Sequence, residues 1–240
     1  MPAPPAKIIP FIVHAPLFLY YFGLDLLSVL PKTASFNSEK ISTMVEIAIL
    51  FSVIAIITML AAFGNNRLAV SEYRLDIQGL PDEFEGFKIA QFSDLHNKRF
   101  GRKQRRIIRK ITNLKPDICV FTGDLVISYQ KSARNAIALI QQLSNNWPTY
   151  FITGNHEAHN RNWTIIKDAV IEAGGRLLIQ PEKITRKDSF LWIIGIDDPS
   201  MFSYRKSEAI AKFRQNLNEM VQSTGDSIPS ILLSHRPELL

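Results

Sequence analysis

The chain has 240 residues, 28 Lys or Arg against 22 Asp or Glu, and a single cysteine. One cysteine excludes an internal disulfide framework and any thiolate-rich metal centre, and Cys119, inside the apolar run "DICVFTGD", reads as a core residue. The formal charge of +6 points to anionic partners without naming one, and the length leaves room for one sizeable domain plus an appendage.

The apolar residues crowd towards the start. Ile41 to Phe63, "ISTMVEIAILFSVIAIITMLAAF", is uncharged from Ile47 onward and as a helix would reach roughly 34 Å at ~1.5 Å per residue. It is expected to be a transmembrane helix, with Glu46 at headgroup level. Ile8 to Leu30 is also long and apolar, but carries Pro10, His14, Pro16 and Asp25. It is read as a second span, an interfacial segment or one half of a helical hairpin with Ile41 to Phe63. The start has no basic region followed by a small-residue cleavage site, so a removable signal peptide is not expected. Residues 1–66 are thus assigned as a membrane-anchoring segment in the cell membrane. Lys7, Lys32, Lys40, Arg67 and Arg74 show no asymmetry that would set which side the remainder faces.

Residues 67–240 have the composition of a folded domain. "EYRLDI" alternates Tyr73, Leu75 and Ile77 like a half-buried strand. Apolar strands then alternate with amphipathic helices. "FKIAQF" precedes a helix from about Lys103, "DICVFT" one over Ala133 to Leu143, and "TYFIT" one over Trp163 to Ala173. Two further strands, "RLLIQ" and "FLWIIGI", a helix over Ser207 to Val221 and a last strand "SILLS" follow. This alternation predicts an α/β layered domain with helices covering the sheet.

Four of these strands end in chemistry. "FKIAQF" runs into Asp94 and His96, "DICVFT" into Gly123-Asp124, "TYFIT" into Asn155-His156-Glu157, and the last strand into His235. In open α/β sheets, sites are assembled at the carboxyl ends of strands. Carboxylates, imidazoles and an amide oxygen suit divalent ions such as Mn, Fe, Zn, Mg or Ni. Such ions lower the pKa of bound water, and a pair bridged by one carboxylate clamps the attacking and leaving oxygens of an in-line displacement. Metal-assisted hydrolysis is the chemistry this set favours.

"SDLH", "TGDLV", "TGNHE" and "LLSHRPE", in this order, resemble the calcineurin-like metallophosphoesterases over roughly residues 70 to 240. The resemblance extends to membrane-anchored bacterial members, which carry segments like "SDLHNKRFG" and "GIDDP", here Gly195 to Pro199. It implies an α/β/β/α sandwich of two mixed sheets with two divalent metal ions at one edge. By the same resemblance Asp94 and His96 ligate the first ion, Asp124 bridges both, and Asn155 and His235 ligate the second. His156 would face the phosphate as the catalytic residue, with Glu157 orienting or polarising it. The implied reaction is hydrolysis of a phosphomonoester or phosphodiester by a two-metal-activated hydroxide; the membrane anchor and the basic helix after Lys98 point to a lipid- or nucleotide-linked substrate at the membrane.

The family also carries a Gly-His-x-His segment, and none of the five histidines (His14, His96, His156, His159, His235) forms a His-x-His pair. Two expectations follow: a C-terminally incomplete piece of an active enzyme, or a catalytically impaired membrane protein binding a partner or anionic lipid. His159 reads as a solvated loop residue. The stretch Lys98 to Lys110, "KRFGRKQRRIIRK", holds eight Lys or Arg and no acid. It reads either as the solvated face of a helix or as a contact for anionic lipid headgroups. No nucleic acid is expected as a partner, since no aromatic-interleaved platform accompanies the charge.

Overall fold

The computed structural model describes residues 6–12, 38–65, 68–225 and 229–240. They fall into two compact units, Met1–Val13 with Leu68–Leu240, and His14–Arg67. The second unit is dominated by helix α1 (Ser38–Asn65). Its 28 residues contain no proline and no glycine before Gly64, so nothing interrupts a rise of ~1.5 Å per residue over some ~42 Å. Thr43–Leu60 has a mean hydropathy of 2.4 and none of it is buried. Ser52 and Thr58 donate their hydroxyls to the carbonyls of Ala48 and Ile54, one turn back, so neither needs water. Among the described residues this is the one helix long and apolar enough to cross a membrane.

In the first unit a six-stranded sheet comprises β1 (Ala6–Ile12), β2 (Tyr73–Leu75), β3 (Lys88–Ser93), β4 (Ile118–Thr122), β5 (Thr149–Ile152) and β6 (Arg176–Leu177). The order is β2-β1-β3-β4-β5-β6, parallel throughout except for β2. A second sheet comprises β7 (Glu182–Arg186), β8 (Ser189–Ile196) and β9 (Ser230–Ser234), with β8 antiparallel to β7 and parallel to β9. The helices are α2 (Arg105–Leu114), α3 (Arg134–Ser144), the single turn α4 (Asn155–Ala158), α5 (Trp163–Glu172) and α6 (Lys206–Thr224).

The strand period of two sorts side chains into two cores. Along β4, Cys119 and Phe121 join Ile107, Leu139 and Ile166 of the covering helices, whereas Ile118 and Val120 meet Ile193 and Leu233 of the second sheet. Phe92 and Phe121 stack with centroids 4.7 Å apart. Each fully buried ring of this kind stabilises by about 1.5–3 kcal/mol. With Ala209 and Phe213 of α6 buried beyond the second sheet, the layers read α/β/β/α. Burial pushes the Cys119 thiol up to about 12, so it stays an inert core residue.

Three sequence expectations change. Ala6–Ile12, the first part of the presumed second span, pairs with β3 from Lys7↔Lys88 to Ile12↔Ser93. The boundary drawn at residue 66 therefore misses a strand of the domain's own sheet, while residues 13–37 of that stretch lie outside the described residues. Pro10 is tolerated because β2 pairs only with Ala6–Ile8, leaving the strand one neighbour beyond that point. β2 itself is an exposed edge, with Tyr73, Leu75 and Ile77 in solvent and not half-buried. β7, which the sequence pattern did not indicate, forms a hairpin with β8.

Candidate metal centre

Because β3, β4 and β5 are adjacent and parallel, the residues that follow them emerge side by side. β8 and β9 bring Asp197, Asp198 and His235 to the same edge from the second sheet. The turn after β3 is interlocked with the turn after β4: the backbone N–H groups of Asp94, His96 and Asn97 donate to the carbonyls of Gly123, Asp124 and Leu125. Asp94, His96, Asn97 and Asp124 all have φ between 50° and 54°, the left-handed region that residues with a side chain seldom occupy. Strain of this kind persists only where the surroundings over-determine it, and it clusters at functional sites.

Buried Asp124 lies at the middle. Its Oδ2 is 3.6 Å from His96 Nε2, which is itself 3.5 Å from Asp94 Oδ1. Its Oδ1 is 3.7 Å from His235 Nε2, which is 3.2 Å from Asn155 Oδ1. Ser93 donates to the other oxygen of Asp94 at 2.6 Å. Burial works to raise the Asp94 pKa, but hydrogen bonds from His96 and Ser93 outweigh it and hold the carboxyl below its ordinary range. His96 moves the opposite way: burial disfavours its cation, yet Asp94 and the Asp124 charge raise its pKa.

Hydrogen bonds set the histidine tautomers. The Nδ1–H of His235 donates to the carbonyl of Thr122 at 2.8 Å, leaving the Nε2 lone pair facing Asp124 Oδ1 and Asn155 Oδ1. In the tautomer with its proton on Nδ1 and Nε2 bare, three acceptors converge there, which is what a cation site requires. His156 is the reverse. Its Nδ1 accepts from the backbone N–H of Ser128 at 3.3 Å, with the Ser128 hydroxyl 2.7 Å away. The proton therefore sits on Nε2, 3.8 Å from Asp124 Oδ2, and offers a donor where a metal would need a lone pair. Burial lowers the His156 pKa, opposed by Asp124.

Glu157 does not reach His156, whose orienting partner is Ser128. The Glu157 carboxylate accepts three backbone N–H groups: Asp124 at 2.8 Å, Gly154 at 2.7 Å and Val126 at 3.1 Å. It thereby ties the Gly123-Asp124 turn to the Gly154-Asn155 turn. Burial pushes its pKa up to about 7 although the N–H groups of Val126, Gly154 and Asp124 pull the other way. The two glycines permit the closeness. A Cβ on Gly123 would come within 2.6 Å of His235 Nδ1, and one on Gly154 would strike the Asp124 carboxylate. His159 is exposed, with Nδ1 2.7 Å from the Asn155 carbonyl.

The donor set thus fits divalent cations. Ligand atoms of Asp94, Asp124 and His235 lie within 4.8 Å of one another, with Asn155 Oδ1 3.2 Å from His235 Nε2; His96, Asp124 and His156 also gather within 4.8 Å, His156 presenting its Nε2–H there. The buried Nδ1 of His96 has no hydrogen-bond partner among the described residues, so its ring is positioned by packing, backbone geometry and Asp94 at Nε2. Residues 87–239 match the family model for calcineurin-like phosphoesterases.

The chain belongs to that family.

Relatives agree. A Danio rerio "Transmembrane protein with metallophosphoesterase domain" is 26% identical over 232 residues, 92% of this chain and 52% of that protein. Its Bos taurus namesake is 28% identical over 180 residues, 70% of this chain and 39% of that protein. The Bacillus subtilis metallophosphoesterase YkuE is 26% identical over 178 residues, 72% of this chain and 59% of that protein. The chain therefore spans between 39% and 59% of the length of these relatives.

In this phosphoesterase domain the "GIDDP" segment has a structural part that motif matching did not supply. Asp197 Oδ1 accepts from the Thr153 hydroxyl at 2.6 Å, just before Gly154 and Asn155. Buried Asp198 accepts from Arg236 Nε at 2.7 Å, just after His235, and from the Ser200 N–H. Neighbouring aspartates of one loop so brace the segments carrying Asn155 and His235. The sequence signal was present as two acids directly after an apolar strand.

Proposed function

We propose that the chain is a membrane-anchored, metal-dependent phosphoesterase that hydrolyses a phosphomonoester or phosphodiester. The observation that carries this reading is the convergence of four side chains, Asp94, His96, Asn155 and His235, around one buried carboxylate, that of Asp124. Asp94, His96 and Asp124 would hold one divalent cation, and Asp124, Asn155 and His235 a second. Bound there, the cations would supply a nucleophile from water near neutral pH and neutralise charge on the phosphoryl oxygens.

The residues of the chain do the remainder. Asp124 keeps its two oxygens directed to opposite sides because Glu157 holds its backbone N–H and Oδ1 accepts from the N–H of His156 at 3.0 Å. His156 holds a proton on Nε2, directed into the same space. Water attacks phosphorus, the P–O ester bond breaks with its electron pair on the leaving oxygen, the proton given up by the attacking water passes to that oxygen through solvent, and the His156 Nε2–H donates a hydrogen bond to the charge that develops there. A lipid- or nucleotide-linked ester is the substrate class we favour. Support for the anchor comes from α1 and from relatives named as transmembrane proteins.

The test is hydrolysis of a generic aryl phosphodiester by the full chain with added Mn. Activity that needs the metal and disappears in Asp124→Asn is expected. No hydrolysis under any divalent metal, with lipid binding unaffected by Asp124→Asn, would instead make the chain a non-catalytic membrane protein.

A further inference from the structure

The net positive charge of this protein lies in residues 98–144. Residues 98–144 contain eleven Lys or Arg and two acids, against 28 and 22 in the whole chain, so the remainder has 17 basic and 20 acidic residues. Both acids are engaged elsewhere. Asp124 is buried in the metal centre, and Asp117 accepts from the Lys88 N–H at 2.7 Å and faces Arg186 at 3.9 Å. Arg99, Arg102, Lys103, Arg105, Arg106 and Arg109 are exposed, whereas Ile107 and Ile111 of the same helix are buried. Helical spacing sets Arg105, Arg109 and Thr112 on one outward stripe.

We infer that this basic face of α2 and its preceding loop docks onto the anionic headgroups of the membrane in which α1 is embedded. Charge complementarity argues for an anionic surface. Two features argue for a membrane and against nucleic acid. The chain passes from the end of α1 at Asn65 to Leu68, a core residue, with two residues between, and Leu68 belongs to the same core that Ile107 and Ile111 close. The first described residue of the domain after α1 thus lies in the core layer that α2 covers. Further, the aromatic side chain within the basic run, Phe100, is buried and offers no stacking platform. The run starts two residues after His96, so docking would hold the metal centre close to the headgroup layer, where a lipid-linked ester presents its phosphate.

This inference rests on the anchoring reading of α1, not on catalysis. It is tested with the full chain in nanodiscs, using Thr112→Cys carrying a donor fluorophore and lipids with an acceptor on the headgroup. Thr112 is exposed, and Cys119 is buried and will not label. Replacing about 30 mol% of phosphatidylcholine by phosphatidylglycerol is expected to raise energy transfer roughly twofold. The increase should vanish in about 0.5 M NaCl and in Arg105→Glu/Arg109→Glu, whose turnover of a soluble ester stays unchanged. Equal transfer in zwitterionic and anionic discs, or an increase that survives the double reversal, overturns the proposal. So does salt-sensitive binding of an RNA oligonucleotide through this face without any lipid response. A chain that washes off the discs overturns the anchoring reading, and the docking with it, whatever its activity.

Discussion

The two sides of Asp124 carry similar candidate ligands but hold them by different means. On the Asp94–His96 side, positioning is mostly a matter of backbone: three left-handed residues, a turn interlocked with the next turn, and a histidine whose Nδ1 has no partner among the described residues. On the Asn155–His235 side it is a matter of side chains: His235 is fixed by the Thr122 carbonyl, and the flanking segments are braced by Asp197 and Asp198. Backbone interlocking is stiff and local. A side-chain brace is adjustable and can be removed by a single substitution without disturbing a strand. The second side is therefore where geometry can change at low structural cost.

Substitutions can break or sharpen that contrast. Asp124→Asn, which touches both sides, should reduce metal-dependent hydrolysis to background and lower bound metal on both, read by elemental analysis after dialysis. Glu157→Gln retains one acceptor oxygen, so either the Val126 N–H or the N–H pair of Asp124 and Gly154 would face an amide N–H₂. Each unsatisfied buried donor costs about 1–3 kcal/mol, so a large fall in Tm is expected with activity lost alongside. His156→Ala should lower kcat by about 10²–10⁴-fold with metal content unchanged, because its Nε2 carries a proton and not a lone pair. Asp198→Asn frees Arg236 and should weaken metal binding by about 10–100-fold on the His235 side only, giving two separated phases in a Mn titration. Ser128→Ala should be the mildest, since the Ser128 backbone N–H still bonds His156; a kcat within a few-fold of the parent is expected.

Much of this was legible beforehand because parallel strands align their carboxyl ends. Asp94, His96, Asp124, Asn155, His156 and His235 each follow an apolar run that could be recognised without a structure. β1 was not legible: seven apolar residues next to a long apolar stretch look like the start of a span, and only pairing with β3, far along the chain, distinguishes them. β7 has one buried apolar residue, Ile184, too few for a pattern. The exposure of β2 depends on its edge place, which alternation cannot reveal. Glu157 next to His156 suggested a partner pair, yet adjacent side chains on a helical turn point apart, and its carboxylate turned instead to backbone donors on β4's loop. Asp197 and Asp198 were visible as a motif, but bracing is a relation between loops of different strands and has no local signature.

The most direct test of the account is anomalous diffraction from crystals of the full chain soaked in Mn. Two peaks, one on each side of the Asp124 carboxylate and roughly 3.5–4 Å apart, are expected. Absence of any peak at Asp124, or ions bound only at the protein surface, would contradict the metal centre and the hydrolytic reading built on it.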